Sequence, residues 1–388
     1  MILKSFRPLA HAGKAPAAII LIAMLSGCSM FSGFFGSSVK KPQPAELQPV
    51  VALVPVRQAW TARIGEVGFP LEVEVAGDTV VVASADGTVA SLDARTGRDL
   101  WRTNIGTPIA AGVGSDGKLA AVVTRGNEVV ALAGGREVWR QKLAAQAFSA
   151  PFVAGGRVFV LAADRSVNAF DGQTGRKLWT QQRPSEPLVL RQSGVMLAVG
   201  DTLVVGLAGR LTGLNPLNGS IRWEAPIASP RGINDVERLV DLVGTVSRNG
   251  NTVCARAFQA SVGCVDAGRG TLLWSKPANG AQGVDGDDSL VFGTEADGRV
   301  LAWRRADGES AWNTDRLRYR SLTSPVVVGR SIAIGDSAGF IHLLSRVDGS
   351  LMNRLSTDGS PVAAAPVLAA NTLVAVTRSG NVYGFAPE

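Results

Sequence analysis

One peptide unit comes back eight times along this chain, and that recurrence restricts the fold more than any single residue does. Aligned on their last residue, SLDARTGRDLW ends at Trp101, ALAGGREVW at Trp139, AFDGQTGRKLW at Trp179, GLNPLNGSIRW at Trp223, VDAGRGTLLW at Trp274 and AWRRADGESAW at Trp312. The spacings are 38, 40, 44, 51 and 38 residues. PVRQAW, ending at Trp60, extends the series upstream by 41 residues, and LLSRVDGSLMN extends it downstream by 41, to Asn353, with the tryptophan lost. Each unit also holds an earlier alternating strand behind a small polar turn, as in DGTVASL (86–92), DRSVNAF (164–170), AGRLTGL (208–214) and SGNVYGF (379–385). Most hold a more continuous apolar run before that, such as TVVVAS or RVFVLAA. Four short strands per period, eight times over, predict an all-β chain: a single eight-bladed β-propeller of four-stranded antiparallel blades. The segment ending at Trp60 is the last strand of a blade whose other strands lie at the extreme C-terminus. Pairing the N- and C-terminal strands closes the ring and removes two open sheet edges. Residues 56–388 are therefore expected to form one domain.

The repeat motif has a structural reading. In LDARTGRDLW, Asp93 can accept hydrogen bonds across the turn, and Gly97 supplies the positive φ that a short hairpin needs. The tryptophan closes the outer strand, where its apolar face can cover small residues of the neighbouring blade while its indole N–H finds a backbone carbonyl. Trp60, Trp101, Trp139, Trp179, Trp223, Trp274 and Trp312 occupy this blade-docking position, and Trp303 lies one strand earlier.

Hydrophobic residues make up 46% of the 388 and charged residues 18%, with 45 Gly and 19 Pro, which excludes disordered, collagen-like and long-helical chains. Residues 1–27 read as a secretory signal, with Lys4, Arg7 and Lys14 ahead of the apolar run 15–25. Leu25-Ser26-Gly27-Cys28 resembles a bacterial lipobox, which implies that Cys28 is acylated and becomes the mature N-terminus. Serine rather than aspartate at position 29 implies sorting to the outer membrane of a Gram-negative cell, the body facing the periplasm. Residues 28–55 then read as the lipidated cysteine and a flexible tether, spanning about 30 Å as a coil. Of the net charge of +7, three positive charges belong to the leader, and the remaining +4 is spread over both signs, no footprint for nucleic acid.

Little in the sequence points to catalysis. His342 is the single histidine beyond the leader, which excludes multi-histidine metal sites. Asp285, Asp287 and Asp288 fall at a hairpin turn and lack a calcium-loop pattern. Cys254 and Cys264 flank a turn near 258–260, so a cross-strand disulfide and two buried thiols are both open. The x-D-x-x-T-G-x-x-x-W unit resembles the tryptophan-docking repeat of pyrroloquinoline-quinone-dependent dehydrogenases, the alternative reading. Their adjacent cysteine pair is missing, and no cofactor is expected. A carbohydrate-binding propeller is a third reading that the repeats alone leave open.

Taken together, lipobox, tether and eight repeats are similar to the BamB family, lipoprotein propellers of the outer-membrane β-barrel assembly complex. In PSEPLVLRQSG (184–194), Leu188, Leu190 and Arg191 match the family's L-x-L-R element; in INDVERLVDLVG (233–244), Glu237, Arg238, Leu239 and Asp241 match E-x-x-R-L-x-D. The resemblance implies that these residues contact the periplasmic domains of the barrel-assembly protein BamA, that the chain is no enzyme, and that it helps insert nascent β-barrel proteins. The family pattern continues to a second aspartate, and here position 243 is valine. On the residues alone, Leu188 and Leu190 are either core or an exposed apolar patch, and Arg238 can equally pair with Asp241.

Overall fold

The computed structural model describes residues 42–182, 188–230 and 239–388. Among them are eight four-stranded sheets. Blades 1 to 7 follow chain order over residues 74–104, 109–142, 152–181, 196–226, 242–277, 284–314 and 326–356. Blade 8 takes Val367–Ala369, Thr372–Val376 and Asn381–Pro387 from the C-terminus and Val56–Arg63 from the N-terminal side. Val56–Arg63 runs antiparallel to Asn381–Pro387, Val56 facing Pro387 and Arg63 facing Asn381, so the ring closes as the repeat phase requires.

Burial follows strand position. The two middle strands of each blade lie between neighbouring sheets and read as unbroken apolar runs, as in Thr79–Ala83, where four of the five residues are buried. Apolar clusters accordingly bridge adjacent blades: Phe159 and Val167 of blade 3 pack with Leu203, Val205 and Leu214 of blade 4. Outer strands such as Asp99–Asn104 keep one face in water.

The tryptophans join the blades. Trp139 of blade 2 lies against Gly175 in the last hairpin of blade 3, and its Nε1 donates to the Gly172 carbonyl at 2.8 Å. The same contact recurs between Trp60 and Gly97, Trp101 and Gly135, Trp179 and Gly219, Trp223 and Gly270, Trp274 and Gly308, and Trp312 and Gly349. Indole donors reach Ala94, Pro216, Arg305 and Arg346 carbonyls from Trp60, Trp179, Trp274 and Trp312, at 2.7–3.0 Å. The aspartate of the motif builds the turn: Asp93 Oδ1 accepts from the backbone N–H of Arg95 and of Thr96, and Asp171 does the same for Gln173 and Thr174.

Blade 7 has lost its tryptophan, and the chain segment before blade 8 compensates. Asn353 Nδ2 donates to the Val54 carbonyl at 2.8 Å, and Leu53 N–H donates to Met352 O at 2.8 Å. Further upstream, Ala45 N–H donates to Arg318 O, Arg320 donates to the Ala45 carbonyl, and Leu47 packs against the apolar cluster of blades 6 and 7. Residues 44–55 therefore lie docked on the propeller, where a free tether was expected. The compact unit begins at Pro44. The expected boundary at 56 fails because a segment without alternation can still bury backbone groups on an edge that lacks its tryptophan.

Other polar residues are absorbed by packing. Cys254 and Cys264 stand directly opposite on neighbouring strands of blade 5 and form a disulfide. Arg256 is fully buried, donating to Glu295 at 2.9 Å under the Trp303 ring. His342 lies in a strand, as its alternation implied, with Nε2 3.0 Å from Asp336, which Arg320 also pairs at 2.8 Å.

Trp139→Ala is expected to cost roughly 3–5 kcal/mol of unfolding free energy, as a buried aromatic does. Gly175→Ala should also destabilise, since φ is +71° and the new Cβ would stand 2.7 Å from Trp139 Cδ2. Urea denaturation of both variants checks this, with Gly155→Ala as the control: φ there is +57° and nothing lies within 4 Å of the added Cβ.

Candidate partner-docking site

Both family-like segments are connections rather than blade strands. Residues 188–194 lead from blade 3 into blade 4, and 239–241 lead into the first strand of blade 5, Leu242–Asn249. Such connections lie on the rim of a propeller, where loop sequence can vary without disturbing the sheets. Leu188 is 40% exposed, Leu190 and Leu239 are half-buried, and Arg191 is exposed, with its guanidinium 5.7 Å from the centre of the Phe148 ring. Leu188 is thus surface apolar area and not core. Glu237 and Arg238 lie outside the described residues.

Asp241 does not stand free at the rim. Its Oδ1 is 3.1 Å from Arg165 Nη2, and its Oδ2 accepts from the Leu190 N–H at 3.2 Å. Arg165 Nη2 also donates to the Leu188 carbonyl at 2.8 Å. Burial pushes the Asp241 carboxyl above its ordinary range, opposed by the Arg165 charge and the Leu190 amide. The connections meet again further along. Gly194 bridges Val243, Gly244 N–H donates to Ser193 O at 2.9 Å, and Gly194 N–H donates to Ser149 Oγ at 2.8 Å.

Of the seven residues singled out by sequence, the structure brings Leu188, Leu190, Arg191 and Asp241 to one place, with Leu239 two positions away along the chain. At position 243, where the chain departs from the family pattern, Val243 is 2% exposed and stands opposite the buried Arg256 on the neighbouring strand of blade 5. Sequence reasoning missed Arg165, whose signal was nonetheless present. In the DRSVNAF unit it stands where DGTVASL, AGRLTGL and SGNVYGF have glycine.

The site adjoins the central channel, a cavity of about 690 Å³ whose wall includes Arg191, Gln192 and Ser193 as well as Glu72, Glu74, Asp285 and Arg378. Burial pushes the Glu72 carboxyl up to about 6. Burial, and then the nearby Glu72 charge, push Glu74 up to about 8.

A carboxyl whose folded-state pKa lies above its unfolded value binds more protons when folded, so its contribution to stability falls as pH rises between the two values. Urea midpoints measured from pH 5 to pH 8 should therefore decline more steeply for the wild-type chain than for Glu74→Gln. Parallel curves would mean that Glu74 is not held in its neutral form.

Comparison with known proteins gives a consistent set of relatives. A family model described as outer membrane protein assembly factor BamB matches residues 85–314. The chain is 39% identical over 371 residues to the outer membrane protein assembly factor BamB of Burkholderia pseudomallei, covering 95% of this chain and 97% of that one. It is 34% identical to that of Bordetella pertussis, covering 94% and 95%. Among solved structures, BamB from Moraxella catarrhalis superposes with a TM-score of 0.77 at 24% identity, over 85% of this chain and 99% of that one. A quinohemoprotein alcohol dehydrogenase from Pseudomonas putida shares the fold alone, with a TM-score of 0.67 at 13% identity, over 87% and 77%.

Proposed function

Because the chain belongs to the BamB family of outer membrane protein assembly factors, we propose that it is a lipid-anchored scaffold that docks the periplasmic domains of BamA. It is an outer-membrane assembly factor rather than an enzyme, as its relatives are. The observation that supports the docking reading is the convergence of the 188–191 and 239–241 connections at the junction of blades 3, 4 and 5. Exposed Leu188 supplies apolar area and Arg191 supplies charge, a small version of the apolar centre with polar rim found in non-obligate interfaces. The interlocked blades hold these side chains in place before a partner arrives, which lowers the ordering cost of binding.

Acylation at Cys28 would confine the propeller to the membrane surface and raise its effective concentration for a partner there. With residues 44–55 docked on the body, residues 29–43 separate the anchor from the compact unit. Nascent barrel strands are a second class of ligand for such a scaffold. The outer strand Thr271–Pro277 presents exposed Leu272 and Leu273 along an open edge suited to strand addition. The quinoprotein alternative is not favoured. The cysteines of blade 5 are fully buried and face each other across strands, and the adjacent pair characteristic of that resemblance is absent.

The test is capture of the mature chain by immobilised BamA periplasmic domains. Wild type should bind, and Leu188→Glu combined with Arg191→Glu should lose capture with an unchanged melting temperature, since both side chains reach solvent. Undiminished capture by the double variant would remove this rim from the interface. Cys28→Ala should abolish acyl labelling and move the chain out of the membrane fraction.

A further inference from the structure

We infer that Arg165 is a positioning residue for the docking rim, and that Asp241 acts on partner binding by holding the Leu190 backbone with it rather than by touching the partner. The inference rests on the docking reading above and specifies how the rim is built.

Arg165 bridges two connections that are far apart in sequence. Its Nη2 holds the Leu188 carbonyl at 2.8 Å and the Asp241 carboxylate at 3.1 Å, and the same carboxylate receives the Leu190 N–H at 3.2 Å. Four groups from blade 3, its exit connection and the entry to blade 5 therefore close one ring of polar contacts around the 188–190 backbone. The Arg165 side chain is 8% exposed and that of Asp241 17%. With both carboxylate oxygens engaged and little surface left, Asp241 is poorly placed to meet a partner directly. Leu188 and Arg191, on either side of the clamped backbone, are the groups that reach solvent.

The backbone at Arg165 supports an assignment beyond packing. The second residue of this turn is glycine in five other units, Gly87, Gly209, Gly298, Gly339 and Gly380, all with φ between +77° and +100°. Arg165 adopts φ +61° at the same place, a region that residues with a Cβ visit uncommonly. The GNEVVAL unit fills this place with Asn127 at φ +58°, asparagine being one of the few residues with a Cβ that enter this region readily. An arginine in that position is explained by what its guanidinium reaches, and what it reaches is the rim. Backbone outliers of this kind tend to gather at functional sites.

This makes Arg165→Gly a variant that the blade should accept, because it installs the residue that five other blades use. On the mature chain, three quantities decide the matter: hydrogen exchange at the Leu190 amide, melting temperature, and affinity for immobilised BamA periplasmic domains. Arg165→Gly and Asp241→Ala are each expected to accelerate Leu190 exchange about tenfold or more and to weaken binding about tenfold, a 1.4 kcal/mol effect. The two together should do no more than either alone, because they act through one backbone segment. Arg165→Lys, which keeps the charge but reaches one acceptor, should fall between wild type and Arg165→Gly. Unchanged Leu190 exchange in Arg165→Gly would overturn the inference. So would additive losses, wild-type affinity despite a freed loop, or a drop in melting temperature that accounts for the lost binding. If wild type fails to bind BamA while Leu190 exchange responds as expected, the clamp stands and the choice of partner falls.

Discussion

Everything in this molecule depends on the contact between an outer-strand tryptophan and a glycine in the next blade's last hairpin. Two features make it work. Glycine is the residue that accepts the left-handed turn without strain, and its missing Cβ leaves a flat surface for the indole. In five of the seven pairs, those of Trp60, Trp139, Trp179, Trp274 and Trp312, the indole N–H also donates to a backbone carbonyl of that hairpin. Each weld is local, but seven of them around a ring set the angle between successive sheets. Closure follows because the N-terminal strand completes the C-terminal blade.

That construction explains where irregularity appears. Blade 7 ends in Asn353 and not tryptophan, and the polypeptide just upstream of the ring's first strand settles on that edge instead, with Leu53 and Val54 bonding to Met352 and Asn353. A missing weld is replaced by a strap. Position 165 is irregular in another way, since a side chain occupies a glycine turn. Both departures from the repeat bring otherwise distant segments of the chain together, and in both the contact is made through hydrogen bonds to main-chain carbonyls.

The described parts of the rim, residues 188–194 and 239–241, are tied to blade 3 and to each other by a few polar contacts. Around Leu188 and Leu190 those contacts come from Arg165 and Asp241, which spend their charge on the protein's own backbone. The apolar and cationic side chains that remain exposed are then available to another molecule. The channel beside them collects half-buried carboxyls, Glu72 and Glu74, whose protonation burial favours.

The amino-acid sequence alone determined the fold class, the number of blades and the phase of ring closure. Those depend on periodic turns and tryptophans whose spacing is fixed by strand length, and strand length is legible in one dimension. It also singled out Leu188, Leu190, Arg191 and Asp241, through their likeness to a known family, and identified Val243 as the odd member of that pattern. Only the tertiary structure decided that Leu188 is surface and not core, that Asp241 pairs with Arg165, and that the cysteines are bonded. It alone showed that residues 44–55 belong to the body. Apart from the cysteines, which are 10 residues apart across one turn, these contacts join segments tens to hundreds of residues apart, with no periodicity to announce them. Their partners are chosen by where the closed ring happens to bring backbone carbonyls and carboxylates within bonding distance.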